Sequence, residues 1–243
     1  MRYLGGKNRL GKQISQVLLK YAPPDTVKGY CEPFCGSLGV MVHMVDHYKD
    51  TRAYDKCKDI ILLWKGLKSG KFKLPRNVSE KTWNKYKKDP KPSAMRAFVG
   101  FGCSYAGRWF NSYIGKYPDS MKYIRYSINS TKKKGEYVKK IKKIGHKDYR
   151  KIKLKGFLIY CDPPYNGTTN VGDQKFEFDS ELFWDTVRRW SKNNVVIVSE
   201  YKAPKDFKCI WKKEIFVYAS VKKKNGKKMN KTIEKLFIHK TLL

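Results

Sequence analysis

The sequence predicts an α/β fold built around a mostly parallel sheet, and three observations support this prediction. Two short apolar runs, at residues 156–161 and 195–199, have the length and composition of buried parallel strands. A glycine turn separates a strand candidate at 28–32 from helical apolar spacing at 40–48. Residues 52–55 then give a second strand, which completes a βαβ unit of about the usual 30 residues.

The carboxyl-terminal part of the chain predicts a crossover helix followed by a closing hairpin. Asp179 or Ser180 can cap the helix, because both side chains accept hydrogen bonds from the backbone of a first helical turn. Residues 210–220 and 232–240 are strand candidates joined by a basic turn at 222–228, which predicts an antiparallel pair on the sheet. The apolar face of the predicted helix consists of Leu182, Phe183, Val187 and Trp190.

Residues 59–150 differ in character from both flanks. They are rich in lysine, are interrupted by prolines and carry scattered aromatic residues. We interpret them as an inserted, mostly helical region. The chain then divides into the first part of an α/β domain at 1–58, the insert at 59–150 and the second part of the same domain at 151–243.

The charge of the chain points to a polyanionic partner. Its 243 residues carry a formal net charge of +33, from 54 Lys and Arg residues against 21 Asp and Glu residues. A surplus of this size attracts polyanions and releases their counterions, which makes nucleic acid the predicted partner. The alternative is a compositional bias toward lysine that leaves much of this charge as solvated surface.

No segment of the sequence has the pattern of a targeting or membrane-spanning segment. The first ten residues lack the apolar stretch of a signal peptide, and no later run approaches about 18 consecutive apolar residues. The six cysteines form no C-x-x-C pair and no Cys/His spacing of a zinc site. We therefore expect an intracellular protein with free thiols, without membrane contact and without a metal.

The strongest signal in the sequence is a tetrapeptide, Asp162, Pro163, Pro164 and Tyr165, that directly follows the strand candidate at 156–161. That position is the carboxyl edge of the sheet, where the ligand sites of α/β folds lie. An exocyclic amine on a base is a poor nucleophile until acceptors hold both of its hydrogens. The Asp162 carboxylate and the Pro163 carbonyl can accept them, and the Tyr165 ring can stack on an extruded base.

This tetrapeptide resembles the catalytic motif of amino-group DNA methyltransferases, and most closely that of the Dam-type, alpha-group, adenine-specific family. Three further segments occur in family order: residues 2–7 resemble the amino-terminal cofactor motif, residues 32–39 the glycine loop, and Asp55 the ribose-binding acid. The resemblance implies a Rossmann-like, S-adenosylmethionine-dependent methyltransferase fold whose insert recognises the DNA target. It also implies cofactor-binding roles for Tyr3, Lys7, Glu32, Phe34, Gly36, Asp55 and Asp148.

The glycine loop alone does not distinguish two kinds of cofactor. A glycine turn followed about 20 residues later by an acid also describes a dinucleotide-binding fingerprint. However, the loop lacks Gly-x-Gly-x-x-Gly, because Phe34 stands two positions before Gly36 and the next glycine is Gly39. S-adenosylmethionine has no pyrophosphate to be cradled, so this departure favours it as the cofactor.

Two further sets of residues are candidates for contacts with the substrate. Ser199 and Glu200 follow the strand candidate at 195–199 and resemble family residues that line the target-base pocket. Residues of the insert combine basic groups with flat rings, as phosphate contact and base readout require. Solvated surface is the alternative for each residue in both sets. The candidates for DNA binding in the insert are Tyr105, Arg108, Lys116, Tyr123 and Arg125.

The function that the resemblance implies is site-specific methylation of adenine N6 in double-stranded DNA, on an adenine flipped out of the duplex. One alternative is methylation of cytosine N4 or of adenine in RNA, because the tetrapeptide suits any exocyclic amine. A second alternative is a DNA-binding protein of the same fold without turnover. The sequence does not identify a recognition sequence or a cognate restriction nuclease.

Overall fold

The computed structural model describes residues 1–116, 120–164, 178–218 and 229–243. Its strands are β1 (Gly29–Glu32), β2 (Thr51–Asp55), β3 (Lys143–His146), β4 (Phe157–Cys161), β5 (Val195–Ser199), β6 (Phe207–Tyr218) and β7 (Met229–His239). Its α-helices are α1 (Gly11–Tyr21), α2 (Met41–Met44), α3 (Lys58–Lys68), α4 (Glu80–Lys88), α5 (Ala94–Ala97), α6 (Ser120–Lys140) and α7 (Ser180–Ser191). A π-helical segment, Phe98–Gly102, continues α5.

In the described part of the chain, these strands form one seven-stranded sheet in the order β3-β2-β1-β4-β5-β7-β6. The strands β3, β2, β1, β4 and β5 are parallel to their neighbours, and β7 lies antiparallel between β5 and β6. The first five follow the order of doubly wound folds, in which the chain changes direction between β1 and β4. The predicted mixed α/β fold with a closing antiparallel pair is confirmed.

Two layers of helices cover the faces of the sheet, because successive residues of a strand point to opposite faces. On one face, Tyr30 and Leu158 pack with α1, α2, α3 and with aromatic residues after α5. On the other face, Cys31 and Ile159 pack against α7. All five residues of β4 are buried, as expected for a central strand covered on both sides.

The edge strand β3 differs from the predicted organisation. The interpretation of residues 59–150 as an insert included it, but it pairs in parallel with β2, from Arg52 opposite Lys143 to Asp55 opposite His146. Of its four residues, only Ile144 is buried. Edge strands commonly carry charged side chains, so the apolar signal of β3 was too weak to be read from sequence.

The region between α3 and β3 shares the core of the sheet. Phe98 and Phe101, which follow α5, belong to the same buried cluster as Leu18 of α1 and Ile197 of β5. The three-part division of the chain stays a prediction. The sheet pairing changes it at one point, because β3 belongs to the sheet and not to the insert. No helix in the described ranges is long and apolar enough to cross a membrane.

The crossover helix α7 begins as predicted, with one difference on its predicted face. The Asp179 side chain accepts a hydrogen bond from the Leu182 backbone at 2.9 Å and caps the helix. Phe183, Val187 and Trp190 are buried, but the Leu182 side chain is 38% exposed. Trp184 is buried instead, because Leu182 lies in the first turn, at the margin of the buried face.

Candidate active site

The carboxyl edge of the sheet gathers acidic and hydroxyl side chains from four neighbouring strands. Asp55 ends β2, Glu32 ends β1, Asp162 follows β4 and Ser199 ends β5. Because β1 and β4 are neighbours at the point where the strand order reverses, a crevice is expected outside their carboxyl ends. The fold therefore brings residues that are far apart in sequence to one edge, where ligand sites of such folds lie.

A buried lysine contacts the acid of the tetrapeptide. The Nζ of Lys7 lies 2.8 Å from Asp162 Oδ1 and 3.6 Å from Glu234 Oε1, and its side chain is only 8% exposed. Burial alone would lower the pKa of Lys7, but the two carboxylates outweigh burial and raise it. The lysine is therefore held in its charged form between two acids.

Glu234 was not among the residues predicted for the site. It lies on β7 and is almost fully buried. Alternate residues of a strand share a face, and Glu234 has the same phase as the buried residues Leu236 and Ile238. An acidic residue in the apolar phase of a predicted strand was the available signal for it.

The prolines of the tetrapeptide follow the strand directly. Pro163 is buried and Pro164 is half-buried, while Asp162 retains 19% of its side-chain exposure. The Asp162 carboxylate is thus accessible at the crevice although Lys7 contacts it. Tyr165 lies outside the described residues, so its predicted stacking role has no structural counterpart here.

The predicted glycine loop and the predicted ribose-binding acid are in direct contact. The Gly36 backbone N–H donates to Asp55 Oδ2 at 2.8 Å, and the Cys57 N–H donates to Asp55 Oδ1 at 2.8 Å. Trp64 Nε1 donates to the Gly36 carbonyl at 2.8 Å. Burial raises the pKa of Asp55, and these backbone donors oppose that rise. The loop and the acid therefore position one another.

Both the backbone conformation and the surroundings at position 36 require a glycine. Its φ is +41°, a backbone conformation that residues other than glycine rarely adopt. A Cβ on Gly36 would also lie 3.0 Å from the ring of Tyr3. Burial raises the pKa of Tyr3 strongly, and Asp55 and Asp162 add to that rise. Tyr3 is thus a neutral ring packed against the loop.

These residues fit the nucleoside part of S-adenosylmethionine. The Asp55 carboxylate accepts from the backbone N–H groups of Gly36, Cys57 and Lys56, and with about four acceptor positions on its two oxygens it keeps capacity for a ribose hydroxyl. The half-buried ring of Phe34 packs with Tyr149 at 5.2 Å and with Phe183 at 5.8 Å between centroids. An acceptor beside an aromatic wall is the chemistry that an adenosine requires.

Glu32 has a more enclosed position than the other predicted cofactor residues. Its side chain is 2% exposed, and the Tyr30 hydroxyl donates to Glu32 Oε1 at 2.7 Å. Burial raises the pKa of Glu32 to about 8, although the hydrogen bond from Tyr30 lowers it. A direct contact of Glu32 with the cofactor stays a prediction.

Asp148 lies beyond β3 on the same edge of the sheet and already has basic partners. Arg150 donates to it through Nε at 2.9 Å and through Nη2 at 2.6 Å, and Lys56 Nζ lies 3.7 Å away. Hydrogen bonding from Arg150 lowers the pKa of Asp148. The predicted contact of Asp148 with the cofactor adenine would have to share these oxygens with Arg150.

Ser199 and Glu200 lie at the end of β5, beside the tetrapeptide strand. The Ser199 hydroxyl is 2.7 Å from the Tyr160 hydroxyl, and both side chains are buried. Glu200 is also buried and accepts a hydrogen bond from the Tyr201 N–H. Both residues are near the site, but their side chains are enclosed, and a role in the base pocket stays a prediction.

The DNA-binding candidates lie at the surface. Tyr105 and Tyr123 are each 37% exposed, and Arg108, Lys116 and Arg125 are exposed as well. Lys116 forms an exposed ion pair with a Glu80 carboxylate oxygen at 2.8 Å.

The segment that carries Tyr105 and Arg108 is attached to the amino-terminal motif. The Leu4 N–H donates to the Gly107 carbonyl at 3.1 Å, next to Tyr3. The Arg2 guanidinium lies over the Tyr123 ring, 4.3 Å from its centroid. The structure thus places Tyr105, Arg108 and Tyr123 near the same motif that supplies Lys7 to the crevice. Among the described residues, no group of three or more His, Cys, Asp or Glu side chains could hold a metal ion.

Residues 3–93 match the family model of D12 class N6 adenine-specific DNA methyltransferases. The predicted family resemblance is confirmed over these residues. The match includes the amino-terminal motif, the glycine loop and Asp55, and it ends before the tetrapeptide. It is a similarity of the amino-terminal part of the chain to that family.

No curated protein matches the chain. One similar solved structure is a precorrin 8w decarboxylase from Methanobacterium thermoautotrophicum, at 7% identity and a TM-score of 0.37. That similarity covers 93% of this chain and 89% of the other.

Proposed function

We propose that the protein transfers a methyl group from S-adenosylmethionine to N6 of an adenine rotated out of double-stranded DNA. One observation carries this proposal above the others. Asp162 follows β4 at the crevice, and Lys7, from the segment that matches the methyltransferase family, lies 2.8 Å from its carboxylate. The family-matched amino-terminal motif and the tetrapeptide, which the match does not include, thus meet in one site.

The chemistry of an exocyclic amine assigns the roles at this site. The lone pair of the amine is delocalised into the base, and acceptors for both hydrogens favour the pyramidal nitrogen that attacks. The Asp162 carboxylate accepts one hydrogen and the Pro163 carbonyl the other. Asp162 Oδ1 is already engaged by Lys7, so the incoming amine uses the second oxygen or displaces the ammonium. Glu234 Oε1 lies 3.6 Å from the Lys7 Nζ, so this second acid holds the lysine when the amine displaces it from Asp162.

The cofactor-binding role falls to residues on the other side of the crevice. Asp55 accepts from a ribose hydroxyl, Phe34 and Tyr149 provide an apolar wall, and the glycine at position 36 lets the loop pack closely against the Tyr3 ring. S-adenosylmethionine, when bound, supplies a methyl group on a sulfonium centre. Holding the amine in line with that methyl group is the main contribution of the protein.

The basic surface provides binding to the DNA backbone. The net charge of +33 and the exposed residues Tyr105, Arg108, Tyr123 and Arg125 support contacts to phosphates and bases near the amino-terminal motif. Tyr165 is proposed to stack on the extruded base. Rotation of the base out of the duplex is required because the amine is inaccessible within the stack.

Identification of the product tests this proposal directly. The protein is incubated with methyl-labelled S-adenosylmethionine and duplex DNA, and the DNA is digested to nucleosides for mass spectrometry. Label in N6-methyldeoxyadenosine is expected. Label confined to deoxycytidine would change the target base, label in RNA alone would change the substrate, and DNA binding without transfer would leave a silent DNA-binding protein. Sequencing with modified-base detection then gives the recognition sequence.

A further inference from the structure

A second buried lysine, Lys134, contacts the glycine loop. Lys134 extends from α6, and its Nζ donates to the Ser37 carbonyl and to Asn8 Oδ1, the latter at 2.5 Å. Asn8 Nδ2 is 3.4 Å from the Ser37 hydroxyl. Three segments therefore meet at this ammonium group: the residue that directly follows the amino-terminal motif, the glycine loop and α6.

The abundance of lysine in α6 does not explain why Lys134 is buried. Lysine is almost never fully buried unless its ammonium is paired, because desolvation of the charge is costly. Lys134 is 8% exposed, whereas its neighbour Lys133 is exposed. The two acceptors that hold its ammonium are neutral oxygens, one of them a backbone carbonyl of the glycine loop.

The contact reaches the cofactor residues through one peptide unit. Ser37 follows Gly36, whose N–H donates to Asp55 and whose carbonyl accepts from Trp64. Fixing the Ser37 carbonyl therefore restricts the backbone of Gly36 and the direction of its N–H. We propose that Lys134 is a positioning residue that holds residues 35–39 in the conformation that binds S-adenosylmethionine. This inference rests on the proposed function, because it takes that loop as the cofactor site.

The charge of Lys134 is sensitive to pH in the neutral range. Burial lowers the pKa of Lys134 to about 8. The titratable groups that face it are Glu32 and Cys35 near the loop, His43 on α2 and the amino group of Met1. Below pH 8 the ammonium can donate to both acceptors. Above pH 8 the neutral amine loses the charge that makes these hydrogen bonds strong. Affinity for the cofactor should fall between pH 7 and pH 9.

Calorimetric titration with S-adenosylmethionine tests the inference with the full chain and without DNA. At pH 7, Lys134→Met should bind about tenfold more weakly than the wild type, because both charge-assisted hydrogen bonds of the ammonium are removed and the loop is no longer held. Lys133→Met, which removes an exposed lysine from the same helix, should bind within about twofold of the wild type. Thermal unfolding of each variant verifies that it is folded.

The pH profile separates positioning from general support of the fold. From pH 7 to pH 9, wild-type affinity should fall severalfold more than the affinity of Lys134→Met, which starts from the weaker value. Glu32, whose pKa burial raises to about 8, titrates over the same range. The α-amino group of the cofactor also titrates there. An equal fall in the wild type and in Lys134→Met would assign the effect to Glu32 or to the cofactor and would overturn the inference.

A second variant keeps the inference testable when Lys134→Met does not fold. Asn8→Ala removes one acceptor of the ammonium at an exposed position, and about threefold weaker cofactor binding is expected. Wild-type affinity in Asn8→Ala or in folded Lys134→Met would refute the role of Lys134. Absence of cofactor binding by the wild type at pH 7 would instead refute the proposed function.

Discussion

The carboxyl edge of the sheet and the surface around Tyr105 and Arg125 hold their charges in different ways. At the edge, Lys7 and Glu234 are buried, and the distances between charged atoms are set by strands and a tight loop. At the surface, Arg108 and Arg125 are exposed, and an ion pair such as that of Lys116 with Glu80 lies open to solvent.

The contrast indicates that the edge of the sheet serves methyl transfer and cofactor binding, whereas the surface serves DNA affinity. Removing a charge from a buried pair leaves its partner without compensation and costs several kcal/mol, whereas exposed pairs are worth about 0–1 kcal/mol and are screened by salt. Substitutions at the edge should therefore change transfer, cofactor binding or stability at constant DNA affinity. Substitutions at the surface should change DNA affinity and its salt dependence alone.

The largest effect is expected for Asp162→Ala. Loss of the carboxylate should slow single-turnover methyl transfer by at least about a thousandfold, or ~4 kcal/mol, because the acceptor acts on the amine as it attacks. DNA affinity, measured by fluorescence anisotropy, should stay within about twofold of the wild type. Retention of a tenth of the wild-type rate would remove Asp162 from the catalytic role. A parallel loss of DNA affinity would break the division between the two regions.

Lys7→Met should have the next largest effect, and it should act on stability. The change leaves Asp162 and Glu234 near one another without the cation between them, so the free energy of unfolding should fall by about 3 kcal/mol at neutral pH. Chemical denaturation measures this loss. Adding Glu234→Gln to Lys7→Met should restore part of it, because one uncompensated acid is removed. A double variant that is no more stable than Lys7→Met would show that the two residues do not act as a pair.

Asp55→Ala should weaken cofactor binding by roughly 1–3 kcal/mol, since hydroxyls that donate to a carboxylate lose charge-assisted hydrogen bonds. The Gly36 and Cys57 N–H groups also lose their acceptor. Isothermal calorimetry with S-adenosylmethionine checks the loss. Asp148→Ala is the matched control, with a smaller effect expected because Arg150 already occupies its oxygens. Equal losses in both variants would contradict the special role of Asp55.

The sequence predicted the parts of this site that are local or that follow a strong strand. Asp55 and Gly36 meet because one strand-loop-strand unit contains both, and Asp162 is located by the apolar run of β4. Lys134 and Glu234 were not predicted, since their approach to the loop and to Lys7 depends on how α6 and β7 pack. A lysine in a basic helix carries no local mark of burial. The phase that Glu234 shares with Leu236 and Ile238 indicates burial, but it does not identify Lys7 as the partner.

The smallest effects are expected at the surface. Neutralising a phosphate contact lowers the log–log slope of DNA affinity against salt by about 0.9, so Arg108→Gln and Arg125→Gln should each reduce it by about one unit. Lys139→Gln is the control, because Lys139 is an exposed lysine on α6 that pairs with Glu136 at 2.9 Å; its slope should match that of the wild type.

Transfer rates at saturating DNA should equal the wild-type rate in all three surface variants, since none of them reaches the crevice. Equal slopes in Arg108→Gln, Arg125→Gln and the wild type would place the duplex on another surface. A wild-type slope near zero would have a wider consequence. It would mean that the net charge of +33 is mostly solvated lysine, and the amino-terminal motif and its neighbours would then have to supply the binding through uncharged contacts.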